Sequence, residues 1–155
     1  MDFQISPLPY SQFASLFEAS TAELEKIGAV KTIVNKKPGF PCRVSLQDAE
    51  VGEKVILLPY QHHATNSPYQ ATGPIYVRKN VATASLEKNE IPLMLIHRLL
   101  SLLAYNMQGF MIEANVVEGT QLRNALHSAF KNDAVEYIHI HNAKPGCFNC
   151  SVARV

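Results

Sequence analysis

Ile91–Val117 reads IPLMLIHRLLSLLAYNMQGFMIEANVV, and the way it divides decides the fold. Its first half, to Tyr105, is apolar enough for one helix or for a short helix followed by a strand. Asn106 to Gly109 settles the choice. A short polar segment closed by glycine between apolar runs is hairpin chemistry, and a hairpin needs a strand on each side. The stretch therefore predicts a short helix, a strand up to Tyr105, a turn over Asn106–Gly109 and a partner strand over Phe110–Val117. Pro92, His97 and Arg98 interrupt the apolar run, which is too short to cross a bilayer needing about 20 apolar residues.

Toward the C-terminus, Leu122, Ala125, Leu126, Ala129 and Phe130 form one apolar stripe, which predicts a helix over Thr120–Lys131. Tyr137–Asn142 reads as a strand, Ala143–Cys147 as a turn and Phe148–Ala153 as a last strand. Toward the N-terminus, Asn80–Glu90 is polar and expected to be exposed, and Pro74–Arg78 is a strand. Tyr60–Thr72, YQHHATNSPYQAT, reads as a long irregular loop of the kind that carries function or moves. Lys54–Leu58 is a buried type of strand that Pro59 should end. Asp48–Glu53 is a turn bending at Gly52, Arg43–Leu46 a short extended piece, and Asn35–Cys42 a loop. Ala29–Val34 is a strand. Ser20 with Glu23 forms a capping box for a helix carrying Leu24 and Ile27, closed by Gly28. Phe13, Leu16 and Phe17 suit one or two helical turns, and Asp2–Leu8 a strand ended by Pro7 and Pro9. Strands outnumber helices. The expectation is a single α+β domain over residues 1–155, with a mostly antiparallel or mixed sheet and two to four short helices.

Composition bounds the function classes. The chain has 155 residues, of which 47% are hydrophobic and 17% charged. That is the makeup of a packed core, and it excludes disorder. Lys plus Arg is 14 and Asp plus Glu 13, a formal charge of +1, which offers no electrostatic footprint for nucleic acid or an anionic membrane. Met1–Asp2 does not begin a secretory signal, and three cysteines make an odd count. A cytoplasmic protein with reduced thiols is expected. No heptad or repeat points to an oligomeric state.

Reactive side chains concentrate in three places. GFPCRVS holds Cys42 and Arg43, the long loop holds His62, His63 and Tyr69, and YIHIHNAKPGCFNC holds His139, His141, Asn142, Cys147 and Cys150. On a strand, residues two apart share a face. His139 and His141 would thus stand side by side, with Ile138 and Ile140 opposite. Such a pair can share a metal ion or a phosphate, or act as base and orienting partner, or be half-buried and bonded to backbone. Cys147 and Cys150 form a C-x-x-C, yet no helix follows to activate the first thiol, and the spacing to the histidines matches no standard zinc module. Cys42 is a nucleophile or a small buried apolar residue. Arg43, Arg78 and Arg98 each lie in or beside apolar sequence, where an arginine has a carboxylate partner or an anionic ligand. A structural salt bridge is expected for two of these three. Tyr69 caps a pocket or packs with its hydroxyl in water.

GFPCRVSLQDAEVGEKVILLPYQH, SPYQATGPIYVR, MIEANVVEG and YIHIHNAKPGCF, in this order, resemble an uncharacterised, mainly bacterial family, domain of unknown function 1203. The resemblance spans nearly the whole chain. It implies no mechanism, because that family has no established activity. Its pattern is similar at Cys42, Arg43, His62, Tyr69, His139, His141, Asn142 and Cys147, and it carries small or varied residues where this chain has Cys150. The residues and the resemblance therefore agree on one set. His62, His139, His141, Cys42 and Cys147 are the candidate catalytic groups, and Arg43, Tyr69 and Asn142 the ligand-binding ones. His139 and His141 are the candidate ligands of a divalent metal. The leading expectation is a small-molecule-binding protein or enzyme with a His/Cys/Arg pocket, with or without the assistance of a metal. The alternatives are a non-catalytic ligand- or protein-binding module and a thiol redox sensor pairing Cys42 with Cys147.

Overall fold

The computed structural model describes residues 1–155. Its eight strands form two antiparallel sheets, joined by three short α-helices and short stretches of 3-10 helix. The strands are β1 (Phe3–Ser6), β2 (Val30–Ile33), β3 (Lys54–His63), β4 (Ala71–Arg78), β5 (Leu99–Tyr105), β6 (Met111–Glu118), β7 (Tyr137–Asn142) and β8 (Phe148–Arg154). The helices are α1 (Thr21–Lys26), α2 (Leu93–Ile96) and α3 (Leu122–Ala129). The larger sheet has the order β1-β8-β7-β5-β6 and the smaller β2-β3-β4. The fold is α+β, and no helix is long and apolar enough to cross a membrane.

The division of Ile91–Val117 follows the hairpin reading. α2 and β5 share the first half, and the Asn106 side chain accepts from the main-chain N–H groups of Gln108 and Phe110 to close the turn. Gly109 takes a positive φ of 78° there. One face of the larger sheet meets α2 and α3. Leu100, Leu102, Ile138, Ile140, Cys150 and Val152 pack with Leu95, Leu122, Leu126 and Phe130 in the principal core. Burying each such side chain contributes about 1.5–3 kcal/mol. The smaller sheet packs Ile56, Leu58, Ile75 and Val77 against Phe13, Phe17 and Leu24, with Cys42 among them. Ser20 and Glu23 make both bonds of the capping box of α1, and Gly28 follows the helix at φ 75°.

Several boundaries differ from the sequence reading. Pro59 does not end its strand: β3 continues to His63. Pro59 lies opposite Pro74, and two prolines can face each other where neither nitrogen is called on by the other strand. β2 pairs only as far as Leu57, so no neighbour there needs an N–H from Pro59. The expected loop over Tyr60–Thr72 thus shrinks to Ala64–Gln70, because both of its ends belong to strands. Arg43–Ser45 is a turn rather than an extended piece; the Cys42 carbonyl accepts from the Leu46 N–H at 3.0 Å. The helix expected over Thr120–Lys131 opens as 3-10 at Gly119–Gln121 before α3 begins.

Gly119 is where α2 and α3 meet. Its N–H donates to the Arg98 carbonyl at 2.8 Å. A Cβ at that position would lie 2.0 Å from the main-chain oxygen of Leu95, and backbone cannot rotate aside as a side chain can. Gly119→Ala is therefore expected to destabilise the fold by about 1–3 kcal/mol, the usual cost of overpacking. Chemical denaturation of the variant checks this, and an unchanged midpoint would contradict the close approach.

Candidate functional site

The second face of the larger sheet is built differently from the first. Ile138 and Ile140 of β7 point into the principal core, so alternation turns Tyr137, His139 and His141 the other way. Their β5 neighbours are Tyr105, Leu103 and Ser101. Across from them arrives the end of β3. A β-bulge between Tyr60 and His63 breaks the alternation of that strand, so both His62 and His63 reach the same face. The result is a group of imidazoles contributed by both sheets.

His62, His139 and His141 come together: one ring nitrogen from each lies within 4.8 Å of the other two. His139 and His141 are only 5% and 6% exposed. Phe148 stacks on His62 at 5.2 Å between ring centroids and closes over His139 at 5.1 Å and His141 at 5.7 Å. Each of the three rings has a buried nitrogen with no hydrogen-bond partner, Nδ1 of His62, Nδ1 of His139 and Nε2 of His141. The other nitrogen of His141, Nδ1, donates to the Gly146 carbonyl at 2.8 Å. That bond fixes its tautomer and leaves Nε2 with a lone pair.

His63 plays another part. Nδ1 donates to the Tyr69 carbonyl at 2.7 Å, and Nε2 accepts from the Tyr137 hydroxyl at 2.6 Å. Both nitrogens are satisfied, and the ring packs against His139 at 5.0 Å as a wall of the cluster.

Burial keeps His62, His139 and His141 neutral. It pushes His139 down to about 3 and His62 down to about 4, and their neighbouring histidines add to both shifts. Burial also lowers His141, partly opposed by its bond to Gly146. Tyr105 is pushed up to about 12 and Tyr137 is raised, again by burial first. At neutral pH the cluster is a set of uncharged nitrogen donors lined by phenols that keep their protons.

The remaining candidates are dispersed around this cluster. Arg43 is 1% exposed, and its Nε donates to the Phe148 carbonyl at 2.6 Å and its Nη1 to that of Pro41. Burial depresses its pKa, opposed by Cys147. Arg78 and Arg98 are the two arginines that pair with carboxylates, Glu53 and Asp48, whereas Arg43 is held by carbonyls. Cys147 is partly exposed, and its Sγ accepts from Asn142 Nδ2 at 3.3 Å. Asn142 belongs to the opposite parity of β7 from the histidines and also accepts from Asn149 Nδ2 at 2.8 Å. Cys42 is fully buried, and its Sγ accepts from the N–H groups of Ser45 and Arg78. Cys150 is buried in the principal core, where burial pushes its thiol up to about 12. It thus stands apart from Cys147, and all three thiols are free. Tyr69 is 38% exposed, with its ring against Tyr105 and Phe110, so it is the carbonyl and not the hydroxyl that reaches the histidines.

Sequence reasoning named His63 among the reactive side chains but left it out of the candidate set, and it gave Phe148, Tyr105 and Tyr137 no part in the site. For the aromatic residues the available signal was their parity with His139 and His141 on paired strands. The adjacent His62–His63 pair could have pointed to a bulge only if the strand had been carried past Pro59.

The depressed histidines set a direction for acid stability. Their ordinary value is 6.5, while the folded values for His62 and His139 are about 4 and about 3. Between these limits the unfolded chain binds more protons than the folded one. Stability is therefore complete above about pH 6.5 and is lost as the pH falls through this window. Each such proton tilts the balance by about 1.4 kcal/mol per pH unit. With a chelator present, denaturation curves between pH 7 and 4 should show this fall. His139→Gln should flatten its slope, and an equal slope in that variant would remove His139 as a source.

The family model described as "Protein of unknown function (DUF1203)" matches residues 39–154, a span holding every candidate site residue. No curated protein and no solved structure matches the chain. Matched over most of its length, including both strands that carry the imidazole cluster, the chain belongs to the DUF1203 family.

Proposed function

We propose that the protein binds a divalent transition-metal ion through His62, His139 and His141 and presents it to a small-molecule ligand. One observation carries this reading: each of the three rings holds one buried, unpartnered nitrogen, and the three residues converge. A buried polar atom without a partner costs about 1–3 kcal/mol, and a cation held among the three rings would relieve that cost for each nitrogen turned toward it. An ion with bonds of about 2.1 Å holds tetrahedral nitrogens roughly 3.4 Å apart, so slight inward rotation of the rings completes the grip.

The donor set favours ions that accept imidazole, such as zinc or copper, over the oxygen-seeking magnesium and calcium. Three protein ligands leave a coordination position for water or ligand, the arrangement of catalytic rather than structural zinc. A bound zinc-type ion would supply Lewis acidity and lower the pKa of a bound water to about 7. The protein's own groups would orient the donors. The Gly146 carbonyl holds the His141 ring, Phe148 shields His62, and the His63–Tyr137 pair supports His139. Such outer contacts are worth about 10–100-fold in metal affinity. Arg43, behind Phe148, adds positive charge near His141, which suits a site whose ligand is an anion. The non-catalytic binding module shares this geometry and differs only in lacking turnover.

Elemental mass spectrometry of untagged protein purified without chelator tests the reading. About one zinc-class ion per chain is expected, the stoichiometry of a three-ligand site. His139→Ala and His62→Ala should each lose it while keeping a cooperative unfolding transition. Metal-free native protein that also fails to take up zinc or copper on titration would end the proposal.

A further inference from the structure

A cation taken out of water needs an anion close by, because the solvation it loses is large. Arg78 and Arg98 meet this need through Glu53 and Asp48. Arg43 is buried more deeply, at 1% exposure, and main-chain carbonyls take its Nε and Nη1 in place of a carboxylate. Those dipoles leave its charge without a counter-ion. What faces the guanidinium besides them is sulfur. The Cys147 thiol bonds to it, and Cys42 and Cys150 lie close enough to act electrostatically on it or feel its charge. All three thiols of the chain therefore gather about one buried cation.

The three are not equivalent. Cys42 and Cys150 have no exposed surface, and burial pushes the Cys150 thiol up to about 12. Cys147 alone reaches solvent. Its Sγ also accepts from Asn142 Nδ2 at 3.3 Å. The wholly buried Asn149 donates Nδ2 to Asn142 Oδ1 at 2.8 Å, which turns the N–H end of the Asn142 amide toward the sulfur. Asn149 Oδ1 is left without a partner, so the amide pair spends its donors in the direction of Sγ. Thiols attack as their anions, and a guanidinium and an N–H aimed at sulfur both favour that form.

We propose that Cys147 is a redox-sensitive thiol that a hydroperoxide converts to a sulfenic acid, with Arg43 and Asn142 holding the attacking sulfur. The thiol gives its proton to solvent and the sulfur attacks one peroxide oxygen. The S–O bond forms as the O–O bond breaks, and the second oxygen leaves as hydroxide, which regains a proton and becomes water. Sulfur is oxidised by two electrons, and the peroxide is reduced by the same two. Cys42 and Cys150 are enclosed in the two cores, so the product rests at the sulfenic acid, which an external thiol can reduce. No disulfide with Cys42 is formed. The inference does not rest on the metal site, and chelator keeps any ion out of its test.

Chelated protein is treated with hydrogen peroxide in the presence of dimedone, a carbon nucleophile that captures sulfenic acids, and the label is mapped by peptide mass spectrometry. The label is expected on Cys147 and on neither Cys42 nor Cys150. Cys147 should also be consumed at least about tenfold faster than glutathione added as an internal competitor. Asn142→Asp keeps an acceptor for Asn149 but sets a carboxylate beside Sγ, and should slow labelling by about tenfold. The measurement on the native protein stands alone if that variant does not fold. Cys147 no faster than glutathione, preferential labelling of Cys42 or Cys150, a Cys42–Cys147 disulfide as the main product, or a folded Asn142→Asp variant labelled as fast as the native protein would each overturn the inference.

Discussion

The structure depends on the register of β7. Ile138 and Ile140 are fully buried under α3 and against β5 and β8, and a slip of one residue would carry both away from the core and bring imidazoles into it. The penalty for such a slip is hydrophobic and large, so the position of His139 and His141 is set by residues that take no part in the cluster. The ordered face of the sheet is thus a by-product of the apolar one. The same logic holds on the other side of the cluster, where Ile56 and Leu58 anchor β3 in the smaller core and the bulge then turns both His62 and His63 inward.

Around the cluster, polar groups are arranged so that each imidazole has a defined role. His63 is saturated by Tyr69 and Tyr137, His141 is half-saturated by Gly146, and His62 and His139 retain a bare nitrogen each. Low dielectric surroundings keep His62, His139 and His141 from gaining a proton at neutral pH. The one permanent charge nearby is Arg43, and it is neutralised by no carboxylate. Main-chain carbonyls of Phe148 and Pro41 receive it instead, which ties the turn after Cys42 to the strand that supplies the aromatic cover. Arg78 and Arg98, by contrast, brace loops through Glu53 and Asp48.

Much of the fold was legible from residue patterns. The bounds of β7 agree with the reading residue for residue, because alternation and flanking turn residues point the same way. The capping box of α1 and the hairpin at Asn106–Gly109 are local chemistry and were read locally. Pro59 misled because its tolerance depends on where β2 stops and on Pro74 facing it, facts of tertiary pairing that no local window contains. The same error hid the strand under His62 and His63 and made a long loop of a short one. Of the candidate site residues, the histidines converge because they sit on paired or facing strands. Cys42 and Asn142 do not join them, since reactivity of a side chain says nothing about which way it points. Conversely, Phe148 and Tyr137 were read only as strand residues, although their packing shapes the site.

The bulge in β3 and the late position of β7 have a consequence for how the protein is made. His62 leaves the ribosome well before His139 and His141, and the intervening chain supplies the β5–β6 hairpin beside which β7 lies. No partial chain that ends before β7 can bring the three rings together. A cation that needed all three rings would therefore be held only after β3 and β7 had both been laid down, so that loading would report their assembly.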